Sequence, residues 1–166
     1  KMSITLQSDF SAQPLNLSSE GIDPLEIERL RRIIAAQNPD SGLSTEELLK
    51  NLGIITPDNR LTVAGLLLIG REEQIRRFVP GHSAIFLHMK NDVEYDRRLN
   101  STRPLLALLE ELTNSVEPYN RIFTLKFGLF HFEIPDFPPE VYREALLNAF
   151  THRDYTIQSP VYLRLY

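Results

Sequence analysis

Apolar positions in the first half of the chain recur at helical spacing. Leu25, Ile27, Leu30, Ile33 and Ile34 form a stripe that predicts a helix from Asp23-Pro24 to about Gln37. Asp is a good cap residue and Pro is pre-organised for a first helical turn. Asn38-Pro39-Asp40-Ser41-Gly42 breaks the stripe. Ser44-Thr-Glu-Glu47 reads as a capping box that opens a short helix to about Asn51, and Pro57-Asp58-Asn59 as a turn. Thr62 caps an apolar helix, Val63 to Ile69, that stops at Gly70, with Gly65 inside it as a small residue allowing close packing. One or two further turns are expected over Arg71 to Phe78, closed by Pro80-Gly81.

From Ser83 the period changes to that of strands. Ala84 to His88 reads as a buried strand, and Val93 to Leu99 as its partner. Leu105, Leu108, Leu109, Leu112 and Val116 predict an amphipathic helix over Pro104 to Val116. Two strands follow, Ile122 to Phe127 and Leu129 to Ile134, with Gly128 between them as a bulge or bend. A helix then runs through residues 144–155, with Pro138 and Pro139 at its first turn, and Pro160 to Tyr166 alternates like a strand. Upstream, Ser3 to Gln7 is a short strand candidate, followed by a Ser/Pro/Asn/Gly-rich lead.

Helices first, then strands mixed with helices, predict an α+β fold. The expected organisation is an extended lead with a short strand (1–21), a helical, winged-helix-like subdomain (22–80) and an α/β portion holding a mixed sheet with packed helices (81–166). The opening Lys-Met-Ser and the strand at the other end lead us to expect a fragment of a longer protein.

Composition narrows the function classes. The chain has 166 residues, no cysteine and a net charge of −4. Disulfides, thiolate metal sites and cysteine nucleophiles are thereby excluded. Residues 24–80 carry 8 basic and 8 acidic side chains, and residues 81–166 carry 9 and 11, so neither part reads as a dedicated polyanion binder. No apolar run approaches the ~20 residues of a membrane span. We therefore expect no membrane partner and a cytoplasmic location.

The candidate chemistry lies in Glu-Ala-Leu-Leu-Asn-Ala-Phe-Thr-His-Arg-Asp-Tyr, residues 144–155. Glu144, Asn148 and His152 follow one another at i, i+4 and so share one helix face, an arc of roughly 80°. A carboxylate there can handle a water, and an amide oxygen can hold a hard cation. The competing reading is a solvated helix face, with His152 and Arg153 near the negative end of the helix dipole. His82, His88 and His131 lack metal-ligand spacing and read as core-edge or exposed histidines. Tyr95-Asp96-Arg97-Arg98 reads as a solvated strand end. No Gly-x-Ser-x-Gly elbow and no Walker A loop occur.

Two stretches carry a resemblance. Asn51 to Gly70 and Phe137 to Tyr155 together resemble the bacterial and archaeal proteins labelled RecG-related ATP-dependent DNA helicases or predicted transcriptional regulators. In that family a Schlafen/AlbA-type DNA-binding domain precedes a divergent ATPase-like region, and a helix-turn-helix often follows. The resemblance implies that Ser8-Asp-Phe-Ser11 ends the first module and that residues 81–166 begin the ATPase-like domain. Residues 137–155 also resemble the helical N-box of Bergerat-fold ATPases.

Carried over by position, Glu144 is the catalytic residue, orienting or deprotonating a water. Asn148 is the magnesium ligand, and Asn148, His152 and Arg153 lie at the nucleotide. ATP and Mg2+ are then the implied cofactors, and DNA is bound by other domains of the longer protein. The family's Asp-x-Gly-x-Gly and later glycine boxes do not occur, so hydrolysis by this chain alone is not expected. The expected function is the central part of an ATP-binding, DNA-associated regulator. The alternatives are a non-catalytic structural and dimerisation module, with homodimerisation as one partner option, and a free-standing nucleotide hydrolase.

Overall fold

The computed structural model describes residues 10–37 and 42–166. The expected strand at Ser3 to Gln7, most of the expected helix break after Gln37 and the start of Ser8–Ser11 lie outside the described residues. The fold is α+β, and the chain divides into two compact units. The first takes in the described residues up to Pro80 together with Arg103–Leu106; the second comprises Gly81–Thr102 and Ala107–Tyr166.

In the first unit the lead is not a loose connection. Pro14–Ser18 is a strand (β1) that pairs antiparallel with Arg60–Thr62 (β2), Pro14 lying opposite Thr62. The alternation of Leu15 and Leu17 is only two apolar positions long, too short to stand out from loop sequence, and its partner is more than forty residues away. Helix α1 (Pro24–Gln37) begins where the Asp23 carboxylate accepts from the Leu25 amide at 2.9 Å. Helix α2 (Thr45–Asn51) has the full capping box: Ser44 Oγ accepts from the Glu47 amide, and Glu47 accepts from the Ser44 amide. The Ser44 hydroxyl, which donates to Glu47 Oε2 at 2.7 Å, and then the Ser44 amide hold the Glu47 carboxyl below its ordinary range.

Helices α3 (Val63–Ile69) and α4 (Glu72–Phe78) complete the unit. Its core is Leu30, Leu49, Ile54, Leu61, Leu66, Ile69 and Ile75. Glu26 is buried beside Arg29 at 3.1 Å, and burial pushes its carboxyl upward against the pull of that guanidinium.

Thr62 serves three groups at once. Its hydroxyl accepts from the Gly65 amide at 3.0 Å and donates towards the carbonyls of Gly53 and Ile54 at 2.8 and 3.0 Å. Thr62→Ala would uncap α3 and leave buried carbonyls short of a donor. We expect a loss of about 2 kcal/mol, read from urea unfolding followed by circular dichroism; an unchanged midpoint would show that the cap is dispensable.

In the second unit, β3 (Ala84–Met89) is the central strand of a three-stranded sheet. It pairs antiparallel with β4 (Tyr95–Ser101) and parallel with β7 (Val161–Leu165), giving the order β4-β3-β7. Helix α5 (Leu105–Val116) is tied to β4 where Ser101 Oγ donates to Glu111 at 2.5 Å. Phe86, Leu108, Leu112 and Phe150 are fully buried. His88 stacks on Tyr119 at 3.7 Å, and the Asp96 carboxyl is held low by its hydrogen bond with His88.

Strands β5 (Ile122–Phe127) and β6 (Phe130–Pro135) form a separate antiparallel hairpin. Gly128 is neither a bulge nor a bend within it. With Leu129 it makes the two-residue turn, at a φ of +61° that glycine adopts without strain.

Helix α6 spans Pro139–Thr151 and closes earlier than the sequence pattern suggests. His152 is its C-cap, and Arg153 to Tyr155 lie beyond it. Among the described residues no helix is long and apolar enough to cross a membrane.

Candidate functional site

Helix α6 positions the polar row. Asn120 fixes the approach to the helix, its amide accepting from the Phe137 amide at 2.9 Å and donating to the Phe137 carbonyl at 2.7 Å. Leu146 and Phe150 anchor one side of α6 in the core. The opposite side carries Glu144 and Asn148, both exposed. Asn148 Nδ2 donates to Glu144 Oε1 at 3.1 Å, so the i, i+4 spacing brings the two together as expected from helical geometry. His152, the C-cap, still donates its amide to the Asn148 carbonyl at 3.0 Å, and its side chain is exposed.

Arg153 is placed differently. Its guanidinium donates to the backbone carbonyls of Gly81 at 2.5 Å and Ser83 at 3.3 Å, and also to those of Ile157 and Ser159. It also lies over the Tyr155 ring at 5.2 Å. The guanidinium is thus a clamp that holds the start of β3 against the turn leading to β7.

The surrounding side chains serve the same turn. His82 is 1% exposed, stacks on Tyr155 and tilts against Phe150. The Tyr155 hydroxyl donates to the Phe150 carbonyl at 3.0 Å, and burial pushes its phenol above the ordinary value. Asp154 accepts from the Thr156 hydroxyl and amide, which hold its carboxyl low. A Cβ on Gly81 would come within 2.8 Å of the Ile157 carbonyl oxygen, so the closeness of this turn requires glycine. No periodicity signals any of these contacts; the one sequence clue was the density of Arg, Asp and Tyr directly after a helix end.

Among the described residues, no group of three or more His, Asp or Glu side chains is gathered as for a metal ion. What α6 offers is one amide oxygen and one carboxylate, hard donors suited to Mg2+. A concavity that the sequence did not signal lies in the first unit, a cleft of about 370 Å³ bordered by Ser19, Ile22, Thr45, Leu49 and Asn59.

Comparisons with known proteins bear on the fold. A family model described as a domain of unknown function (DUF8451) matches residues 5–85. No curated protein matches. The crystal structure of the DIP2311 protein from Corynebacterium diphtheriae is similar with a TM-score of 0.76 and 24% identity, over 94% of this chain and 30% of that one. The likeness is one of fold, and this chain spans less than a third of the length of that protein.

Proposed function

We propose that this chain carries the first part of a nucleotide-binding region in a DNA-associated regulator of the RecG-related kind. The observation that carries the reading is the Glu144–Asn148 pair on the exposed face of α6. With its Nδ2 given to Glu144, Asn148 keeps its side-chain oxygen for a hard cation. A protein that offers Mg2+ one or two oxygens leaves the rest of the octahedron to phosphate and water, which is the usual arrangement at nucleotide sites. The donor set therefore fits a magnesium nucleotide better than a resident metal ion.

In this reading Asn148 holds the cation, Glu144 orients a water, and His152 stands one turn further along the same face. A bound magnesium nucleotide would supply the electrophilic terminal phosphate. Arg153 acts by position, fixing the turn after α6. The balanced charge of both parts of the chain leaves DNA contact to other parts of the longer protein.

The test is titration of magnesium-ATP into the full-length protein, wild type against Asn148→Ala. Loss of a charge-assisted cation contact should weaken binding roughly tenfold or more, while Glu144→Gln should bind ATP yet turn it over more slowly. Equal ATP affinity for wild type and Asn148→Ala would sink the assignment. A second reading, a non-catalytic linking and dimerisation module, is favoured by the exposed apolar hairpin of β5 and β6.

A further inference from the structure

Side chains of the hairpin of β5 and β6 alternate between its two faces. Register pairs Phe123 with Ile134, Leu125 with Phe132 and Phe127 with Phe130, and strand alternation puts all six on one side. Thr124, Lys126, His131 and Glu133 occupy the other side, with Ile122 and Pro135 at its base. Apart from the Ile122–Pro135 pair at its base, the polar side needs no cover. Among the described residues nothing covers the apolar side: its six side chains are 49–73% exposed. The row continues at its base into Arg121 and Asp136, an ion pair at 3.6 Å that forms a polar rim.

We propose that this face is the contact by which two copies of the chain associate, hairpin on hairpin, about a twofold axis. Area decides in favour of a full interface. At about 200 Å² for each large side chain, these exposures leave roughly 700 Å² of apolar surface on one copy. The largest apolar patch on a typical monomer is about 300–600 Å², and a stable interface takes about 800 Å² from each partner. Two such faces packed together, with the flanking rim, reach that size.

Charge and symmetry favour a second copy over a charged partner. The row holds no ionisable group between its ends, so pairing it with itself buries no charge. An isologous contact needs only a patch that matches itself, and three cross-strand apolar pairs in a row provide one. A two-stranded hairpin is marginal in water by itself, so covering this face also stabilises the hairpin. The inference is independent of the nucleotide site.

Sedimentation equilibrium of the full chain should show a dimer with a low-micromolar dissociation constant. Leu125→Glu and Phe132→Glu, at the centre of the row, should each raise that constant by roughly thirtyfold or more. Thr124→Glu on the polar side should leave it unchanged, and circular dichroism should show all three variants folded. Because the chain has no cysteine, Leu125→Cys offers a second readout: mild oxidation should give a disulfide-linked dimer, and Thr124→Cys should not. A wild-type chain that stays monomeric through the high-micromolar range would overturn the proposal and assign the face to another segment or partner. A dimer that survives both glutamate substitutions would overturn it equally.

Discussion

Gly65→Ala is expected to destabilise the first unit by about 3 kcal/mol, although helix propensity alone favours alanine by about 1 kcal/mol. Gly65 lies inside α3, where a Cβ would sit 2.3 Å from the Ile54 carbonyl oxygen and 2.9 Å from its carbonyl carbon. That obstacle is backbone and cannot swing aside like the end of a side chain. The same carbonyl accepts from the Thr62 amide at 3.0 Å and from its hydroxyl, so moving it also loosens the α3 cap. Gly42→Ala is the matched control, since a Cβ there meets nothing within 4 Å; it should be neutral or slightly stabilising. Urea unfolding of the two variants checks this. A Gly65→Ala protein as stable as wild type would show that Ile54 can retreat without cost.

Arg153→Ala should destabilise the second unit by a similar amount, about 3 kcal/mol. The substitution removes donors from the carbonyls of Gly81, Ser83, Ile157 and Ser159, and takes a cation from the Tyr155 ring. Gly81 is itself buried, so its carbonyl has little access to a replacement water. Arg153→Lys should recover less than half of the loss, because a single ammonium cannot span acceptors that a planar fork reaches together. Stability and ligand binding separate the two roles open to this residue. A clamp lowers the unfolding midpoint in both variants. A phosphate contact would leave the midpoint in place and weaken only ATP binding, and that outcome would return Arg153 to the nucleotide site.

The site illustrates where sequence reasoning stops. The spacing of Glu144 and Asn148 was enough to place them together, because i and i+4 meet on any helix. The fate of Arg153, one residue past His152, was not legible. It depends on where Gly81 and Ser83 arrive, some seventy residues earlier in the chain. A basic residue after a helix end suits a phosphate or a ring of carbonyls equally well, and only the fold selects between them.

The same division runs through the whole protein. By itself the sequence determined the helices and most of the strands. Asp23-Pro24, the Ser44 capping box, Thr62 and the apolar periods act within a few residues, and local rules suffice to read them. Tertiary structure decided what lies across from each element. It joined β1 to β2, set β3 between β4 and β7, brought Gly65 against Ile54 and closed Arg153 on its carbonyls. Among the described residues it also left the Phe123–Ile134 face of the hairpin open. Alternation in a strand specifies that one face is apolar; whether anything covers that face depends on surfaces far away in sequence, and no local pattern encodes them.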